Sequence, residues 1–401
     1  MAPKSRAVTA KSLQALLTRI GAPSSGTKAV LQDRFRHELN QSRLFNRHPK
    51  WEKSRPTDQK LRIMSIDMGI KNLAFCEAEI SYPVKDSLDA TMDVLRWEKI
   101  NLVPTKDDIP SPVVESEETT ENTGDDDVDP YSLNVLSKTA YGLVKNTILA
   151  KSPDIILIEK QRWRSGGGSA VQQWTLRVNT LEGMLWAILQ TIYSERLVAQ
   201  DKKAKRGSEK EKLYEVFGVD PKRVGMYWLG EQDVERVALA EASSPAKPRP
   251  AADNRIEQNE DDIPTPKKKP SRSKAEKSAK ISLLRKWLSA SPASTASRSS
   301  TNTPTLSFTI SPHAQATQYA LCSPKKSPRR RKDDDAADEI GPTEMKKLDD
   351  ITDCFLQAAA WVSWESNRLQ LCGVVEEKKK SEGEDLDEGV MGEMVRVMER
   401  S

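Results

Sequence analysis

Apolar positions recur at helical spacing near both ends of the chain and at strand spacing between them, and these periods divide it into elements. Leu13, Leu16, Leu17 and Ile20 share one helical face, the pattern breaks at Gly21-Ala22-Pro23, and helical spacing resumes through Val30, Leu31 and Phe35. This predicts a helical hairpin within residues 1–45. The stretch LRIMSIDMGIKNLAFCEAEI from Leu61 reads as two strands joined at Met68-Gly69, and DVLRWEKINL from Asp93 supplies a third. Three successive strands with short links predict an antiparallel meander. Helical spacing returns from Tyr131 to Leu149, then the strand IILIEK, then a long amphipathic helix through Leu181, Met184, Leu185, Ile188, Leu189 and Ile192. RVGMYWL from Arg223 reads as a final strand, and a last helix runs through Leu348, Ile351, Phe355, Leu356, Ala359 and Val362. The predicted class is α/β, a mixed sheet flanked by helices over residues 60–370.

Two stretches interrupt this core. Residues 105–128 are acidic and rich in Pro, Ser and Thr, and residues 238–343 are dominated by Ser, Pro, Lys, Arg and Ala apart from the island ISLLRKWL at Ile281. Both read as disordered insertions, and residues 375–401 as a charged tail. The apolar fraction of 37% agrees, since even with 18 glycines added it falls short of the roughly 45–50% usual for packed domains.

Composition then narrows the chemistry. The 63 basic residues nearly cancel 59 acidic ones, so a nucleic-acid signal must come from local patches such as KKKPSRSK at Lys267 and KKSPRRRK at Lys325. Cys76, Cys322, Cys354 and Cys372 lie far apart without a CxxC pair, which argues against a disulfide framework or a cysteine zinc site. His37, His48 and His313 all fall outside the expected catalytic core, which disfavours a Ser-His-Asp triad, a Cys-His pair or a histidine metal site. Catalysis is left to carboxylates, lysines or metal ions. No apolar run approaches the roughly 18–20 residues of a membrane span. The stretch from Met1 to Gln32 is basic and lacks acids, which suits either an organelle transit segment or a DNA-facing helix pair.

Carboxylates do occupy informative places. Asp67 ends the apolar strand RIMSI, and Glu159 occupies the equivalent place on IILIEK. Parallel neighbouring strands would bring the two together at their carboxyl ends, where ligands gather in open α/β sheets. Each alone is equally well a turn residue or cap. In LDDITD, Asp353 shares a helical face with Asp349 and Asp350, although acids also suit any helix N-terminus. Mutual repulsion among such acids would be relieved by Mg²⁺, which prefers carboxylates, water and phosphate oxygens. Carboxylates from two strand ends and one helix are what a two-metal phosphodiester hydrolase requires, with ions about 3.5–4 Å apart.

The blocks IMSIDMGIKNLAFC, LIEKQRWRSGGG with LRVNTLEGMLWAIL, and KKLDDITDCFLQAAAWVSW resemble, in order, the three motif blocks of fungal mitochondrial Holliday-junction resolvases, a RuvC-like branch of the ribonuclease-H fold. The N-terminal hairpin, with its leucine pattern, Gly21 turn and GTKAVLQDRF, is similar to a SAP module, a DNA-binding helical element. The resemblance implies a homodimeric endonuclease that nicks a four-way DNA junction symmetrically with Mg²⁺ or Mn²⁺, two ions per site. Neither a membrane nor a small-molecule substrate is expected. It carries the catalytic and metal-binding roles to Asp67, Glu159, Asp353 and one of Asp349 and Asp350. DNA contacts are expected from Lys28 and Arg34 of the hairpin, from Lys71 and Asn72 beyond Asp67, and from Lys160, Gln161, Arg162, Trp163 and Arg164 beyond Glu159. The expected location is mitochondrial, while the basic run at Lys325 also suits a nuclear address. Two rival readings are a non-catalytic DNA-binding scaffold and an ATP-binding protein of the actin and sugar-kinase type. The second would require a further glycine-rich phosphate loop, which the sequence lacks.

Overall fold

The computed structural model describes residues 8–39, 60–82, 87–103, 129–161, 173–204, 212–230, 272–289, 304–323, 348–382 and 388–399. The insertion at 105–128 lies outside them. Strands β1 (Leu61–Asp67), β2 (Leu73–Ser81) and β3 (Ala90–Ile100) form the expected meander, each antiparallel to the next. Gly69 tightens the β1–β2 link, where a Cβ would meet the Asn72 carbonyl oxygen at 2.9 Å. Strand β4 (Ile155–Glu159) pairs parallel to β1 in the register Ile66 to Ile158. Strands β5 (Glu215–Val219) and β6 (Leu306–Ile310) complete a six-stranded sheet of order β5-β4-β1-β2-β3-β6. Alternation along β1 and β4 separates two faces. Met64, Ile66, Ile156 and Ile158 pack against α3 (Leu133–Leu143), its π-helical extension Val144–Ile148, and α4 (Gln173–Ala204). Ile63, Ile155 and Leu157 face the opposite layer, and the same parity turns Asp67 and Glu159 that way.

That opposite layer corrects two expectations. RVGMYWL is not a strand, because residues 221–230 form helix α5. Asp220 caps it, with its Oδ1 accepting from the Lys222 N–H at 2.9 Å, and Pro221 opens it, so a start signal was present in the residues just before the apolar run. The strand lies upstream, at β5. The segment 238–343 is not wholly disordered either, since α6 (Arg272–Ser289), β6 and α7 (Gln315–Cys322) come from it. Aromatic contacts anchor them: Trp287 meets Trp228 at 4.7 Å and stacks on Phe308 at 5.4 Å, and Phe308 meets Phe355 at 5.2 Å. A few large rings in a polar stretch thus bury enough surface to order it.

The layer centres on α8 (Leu348–Glu382), whose Ile351, Cys354, Phe355, Leu356, Ala358, Ala359, Ala360 and Val362 are all buried. Its far half receives α1 (Ala10–Arg19) and α2 (Lys28–Leu39), the expected hairpin, together with α9 (Glu388–Glu399). The tail is therefore more than a charged extension, because Val390, Met391 and Met394 share a core with Leu13, Leu16, Leu17 and Phe35. The hairpin is bonded to α8 as well as packed on it. Arg368 donates to the Ile20 carbonyl at 2.8 Å and the Glu38 carbonyl at 2.9 Å, and Asn367 donates to the Arg19 carbonyl at 3.0 Å. Arg223 of α5 donates to the Gly21 carbonyl at 3.1 Å. Among the described residues, no helix is long and apolar enough to cross a membrane.

Gly21 has φ +69°, and a Cβ there would lie 2.2 Å from the Trp364 ring. Gly21→Ala combines a left-handed backbone penalty of about 1–2 kcal/mol with that overlap, so it should lower stability by at least about 2 kcal/mol in urea unfolding. Limited proteolysis should then cut within α1 and α2 sooner than in wild type.

Candidate active site

Asp67 and Glu159 end adjacent parallel strands on one face of the sheet, and the first turns of α8 bring Asp349, Asp350 and Asp353 over them. Gln357, one turn beyond Asp353, fixes this superposition. Its buried amide donates to Ser65 Oγ at 3.1 Å and lies 3.4 Å from the carbonyls of Ile66 and Leu157, so one side chain ties the helix to both acid-bearing strands. Trp97 of β3 donates its indole N–H to the Ile351 carbonyl at 2.8 Å, bracing the helix on the other side of Asp353. Neither residue was among the expected site residues. A glutamine in an apolar run has no spacing signature, and only its partners reveal its role.

The electrostatics show the acids acting on one another. Burial first, then Glu159, Asp353 and Asp350 and a hydrogen bond with Glu159, raise the Asp67 carboxyl well above the usual carboxylate range. Burial also raises Asp353, opposed by Lys280, whose Nζ lies 3.0 Å from Asp353 Oδ1. Asp349 forms an ion pair with Lys277. Asp350 acts on Asp67 and Asp349 acts on Asp353, and the Asp350 Oδ2 is buried. The two residues that spacing leaves equivalent thus differ in their contacts.

The other expected residues divide. Lys71 and Lys160 are exposed beside the acids' strands, and Asn72 is half-buried in the turn after β1. Gln161 donates its backbone N–H to Glu182 of α4 at 3.3 Å, which steers the chain as it leaves β4. Lys28 is exposed on the hairpin, whereas Arg34 donates to the carbonyls of Pro23 at 2.6 Å and Ser25 at 2.8 Å and so closes the loop between the two helices. Arg162, Trp163 and Arg164 lie outside the described residues.

An all-carboxylate donor set suits a hard divalent cation such as Mg²⁺ or Mn²⁺, and the buried Asp350 oxygen fits the same role. As the side chains stand, no three described residues converge tightly enough to cage an ion. The lysine contacts explain part of this, since they draw Asp349 and Asp353 toward α6.

Comparison with known proteins gives the family. The family model described as mitochondrial resolvase Ydc2 / RNA splicing MRS1 matches residues 63–371, from β1 through most of α8. The chain belongs to this resolvase and splicing-protein family. A relative from Schizosaccharomyces pombe, mitochondrial cruciform cutting endonuclease 1, is 32% identical over 175 residues, 42% of this chain and 52% of that protein. The chain thus spans about half the length of that relative. The protein of the same name from Saccharomyces cerevisiae is 25% identical over 312 residues, 77% of this chain and 70% of that one. A crystal structure of the yeast mitochondrial Holliday junction resolvase Ydc2 aligns with TM-score 0.45 and 18% identity over 92% of this chain and 99% of that one. The Ydc2/MRS1 match begins after the hairpin, so α1 and α2 are additional to the matched region.

Because the folded protein holds a proton on Asp67 more tightly than the unfolded chain does, ionising Asp67 costs stability as pH rises from about 4 through its raised folded-state value. In EDTA at pH 7.5, Asp67→Asn should unfold at a higher temperature than wild type, by about 2–4 °C for each kcal/mol relieved. The gap should shrink at pH 5, toward the range in which wild-type Asp67 is protonated. Thermal unfolding at the two pH values checks both signs.

Proposed function

We propose that this chain is a structure-selective endonuclease that resolves four-way DNA junctions by symmetric, metal-dependent phosphodiester hydrolysis, as a homodimer acting on mitochondrial DNA. The observation that carries the reading is the placement of Asp67 and Glu159 on adjacent strand ends beneath Asp350 and Asp353 of one helix. Family membership supports it, as do the two relatives named mitochondrial cruciform cutting endonucleases. The family description also covers RNA splicing, and the four acids are the feature that favours hydrolysis.

Bound divalent cations, two per site, would supply an activated water and stabilise the leaving oxygen. Asp67, Glu159, Asp350 and Asp353 would hold them, with Asp349 as the alternative to Asp350. The chain's own work is placement. Gln357 and Trp97 keep the helix-borne acids over the strand-borne ones, and the tight turn at Gly69 places Lys71 and Asn72 beside Asp67. Lys71 and Lys160 would meet phosphates next to the scissile bond, and Gln161, Arg162, Trp163 and Arg164, next in the chain, are of types that bind phosphates and stack on bases. The exposed Lys28 and the loop that Arg34 closes would give the hairpin, read as a SAP-like element, a second contact with a junction arm. Phosphate contacts of this kind read junction shape rather than base sequence and weaken with salt.

Purified wild type with Mg²⁺ should introduce paired nicks in a labelled four-way junction and leave the matched linear duplex intact. Asp353→Asn and Asp350→Asn should lose at least about a hundredfold in rate while still binding the junction, and Asp349→Asn should lose less than about tenfold. EDTA should abolish nicking. Junction binding without cleavage under Mg²⁺ or Mn²⁺ would contradict the enzyme reading and leave a nucleic-acid-binding protein. Equal loss in Asp349→Asn would contradict the assignment of Asp350.

A further inference from the structure

Helix α6 comes from a stretch whose composition suggests no structure, yet it delivers two ammonium groups to the carboxylates. Lys280 has only 8% of its side chain exposed and lies 3.0 Å from Asp353 Oδ1 and 3.4 Å from Glu276 Oε1. Lys277, one turn earlier, pairs with Asp349. Burying an ammonium is costly, so its position must be held by the surrounding fold. Ala275, Ala279 and Leu284 of α6 are buried, and Trp287 is wedged between Trp228 and Phe308. The facing helix α5 also leaves room for it, since a Cβ on Gly225 would come within 2.8 Å of Glu276 Oε1 and 3.7 Å of Lys280 Cε. A glycine thus lies opposite the Glu276–Lys280 pair, and that pair lies against the metal-facing acid.

We propose that Lys280, assisted by Lys277, is a positioning residue that competes with a divalent cation for the carboxylates of α8. Its ammonium holds Asp353 and offsets repulsion within the acid cluster, so a cation entering the cluster must displace it and the free protein holds that cation weakly. The inference rests on the metal-dependent reading above. Removing one unit of positive charge a few ångströms from a divalent ion should strengthen binding on the order of tenfold, even at the dielectric constant of water.

The test is Mn²⁺ binding to the full-length protein without DNA, measured by calorimetry and by the loss of free-Mn²⁺ signal in electron paramagnetic resonance. Lys280→Gln should bind Mn²⁺ about tenfold more tightly than wild type, and Lys280→Arg, which restores the charge, should return affinity to within about threefold of wild type. Lys277→Gln, at the more exposed lysine, should tighten binding severalfold and decides the matter if Lys280→Gln does not give a cooperative thermal transition. Unchanged or weaker Mn²⁺ binding in the deciding folded variant would overturn the competition. If neither wild type nor the folded variants bind Mn²⁺, both the competition and the metal reading fail, whereas wild-type binding that the substitutions leave unmoved contradicts the competition alone.

Discussion

Everything at this site depends on how α8 lies on the sheet. The helix buries an almost continuous apolar face, with three consecutive alanines, Ala358, Ala359 and Ala360, allowing the backbone close to the strands. A purely apolar contact would tolerate small slides along the helix axis. Gln357 removes that freedom by offering its amide to Ser65 and to carbonyls on β1 and β4, two residues or fewer from Asp67 and Glu159. An amide withdrawn from water costs free energy unless these acceptors are in place, so the register that satisfies Gln357 also places Asp353 over the strand ends. The same helix carries Trp364 and Arg368 against the hairpin, eleven and fifteen residues, or about 16 and 22 Å, beyond Asp353. One element therefore fixes both the acids and the hairpin, and the distance between the two contacts proposed for DNA is set by a helix rather than by a linker.

Much of this was legible in the chain, for physical reasons. The places of Asp67 and Glu159 at the ends of two apolar strands bring them together once the strands are taken as parallel neighbours, and that is the pairing observed. Helical spacing from Leu348 to Val362 likewise places the aspartates on the turn preceding the apolar face. What periodicity could not reveal was any contact made by a few residues in a polar setting. Phe308 orders β6 through rings on other elements, so a window of local composition averages it away, whereas Trp287 lies in the island ISLLRKWL that stands out from its surroundings. RVGMYWL fails for the opposite reason, being too short for its apolar run to distinguish strand from helix. Asp220-Pro221 held the deciding signal. Arg34 shows a third limit, since nothing in its spacing reveals that its guanidinium donates to the loop carbonyls of Pro23 and Ser25.

The site also illustrates how function is purchased with stability. Asp67, Asp350 and Asp353 are brought together in surroundings that disfavour their charge, and the fold answers with lysines from α6 and with protons. Such an arrangement is poor as a structural motif and suitable as a cation receptor, because a divalent ion stabilises what the protein alone cannot. The separation of Asp349 from Asp350 follows from the same balance. Asp349 finds Lys277 at the edge, while Asp350 turns its buried oxygen inward.

The central claim is that two strand ends and one helical turn make a single cation site. An anomalous-difference map from Mn²⁺-soaked crystals of the full chain tests it most directly. The account predicts density bounded by Asp67, Glu159, Asp350 and Asp353, with the Lys280 ammonium withdrawn from Asp353. Density confined to Asp349, or Lys280 still seated on Asp353 with Mn²⁺ bound elsewhere, would contradict it.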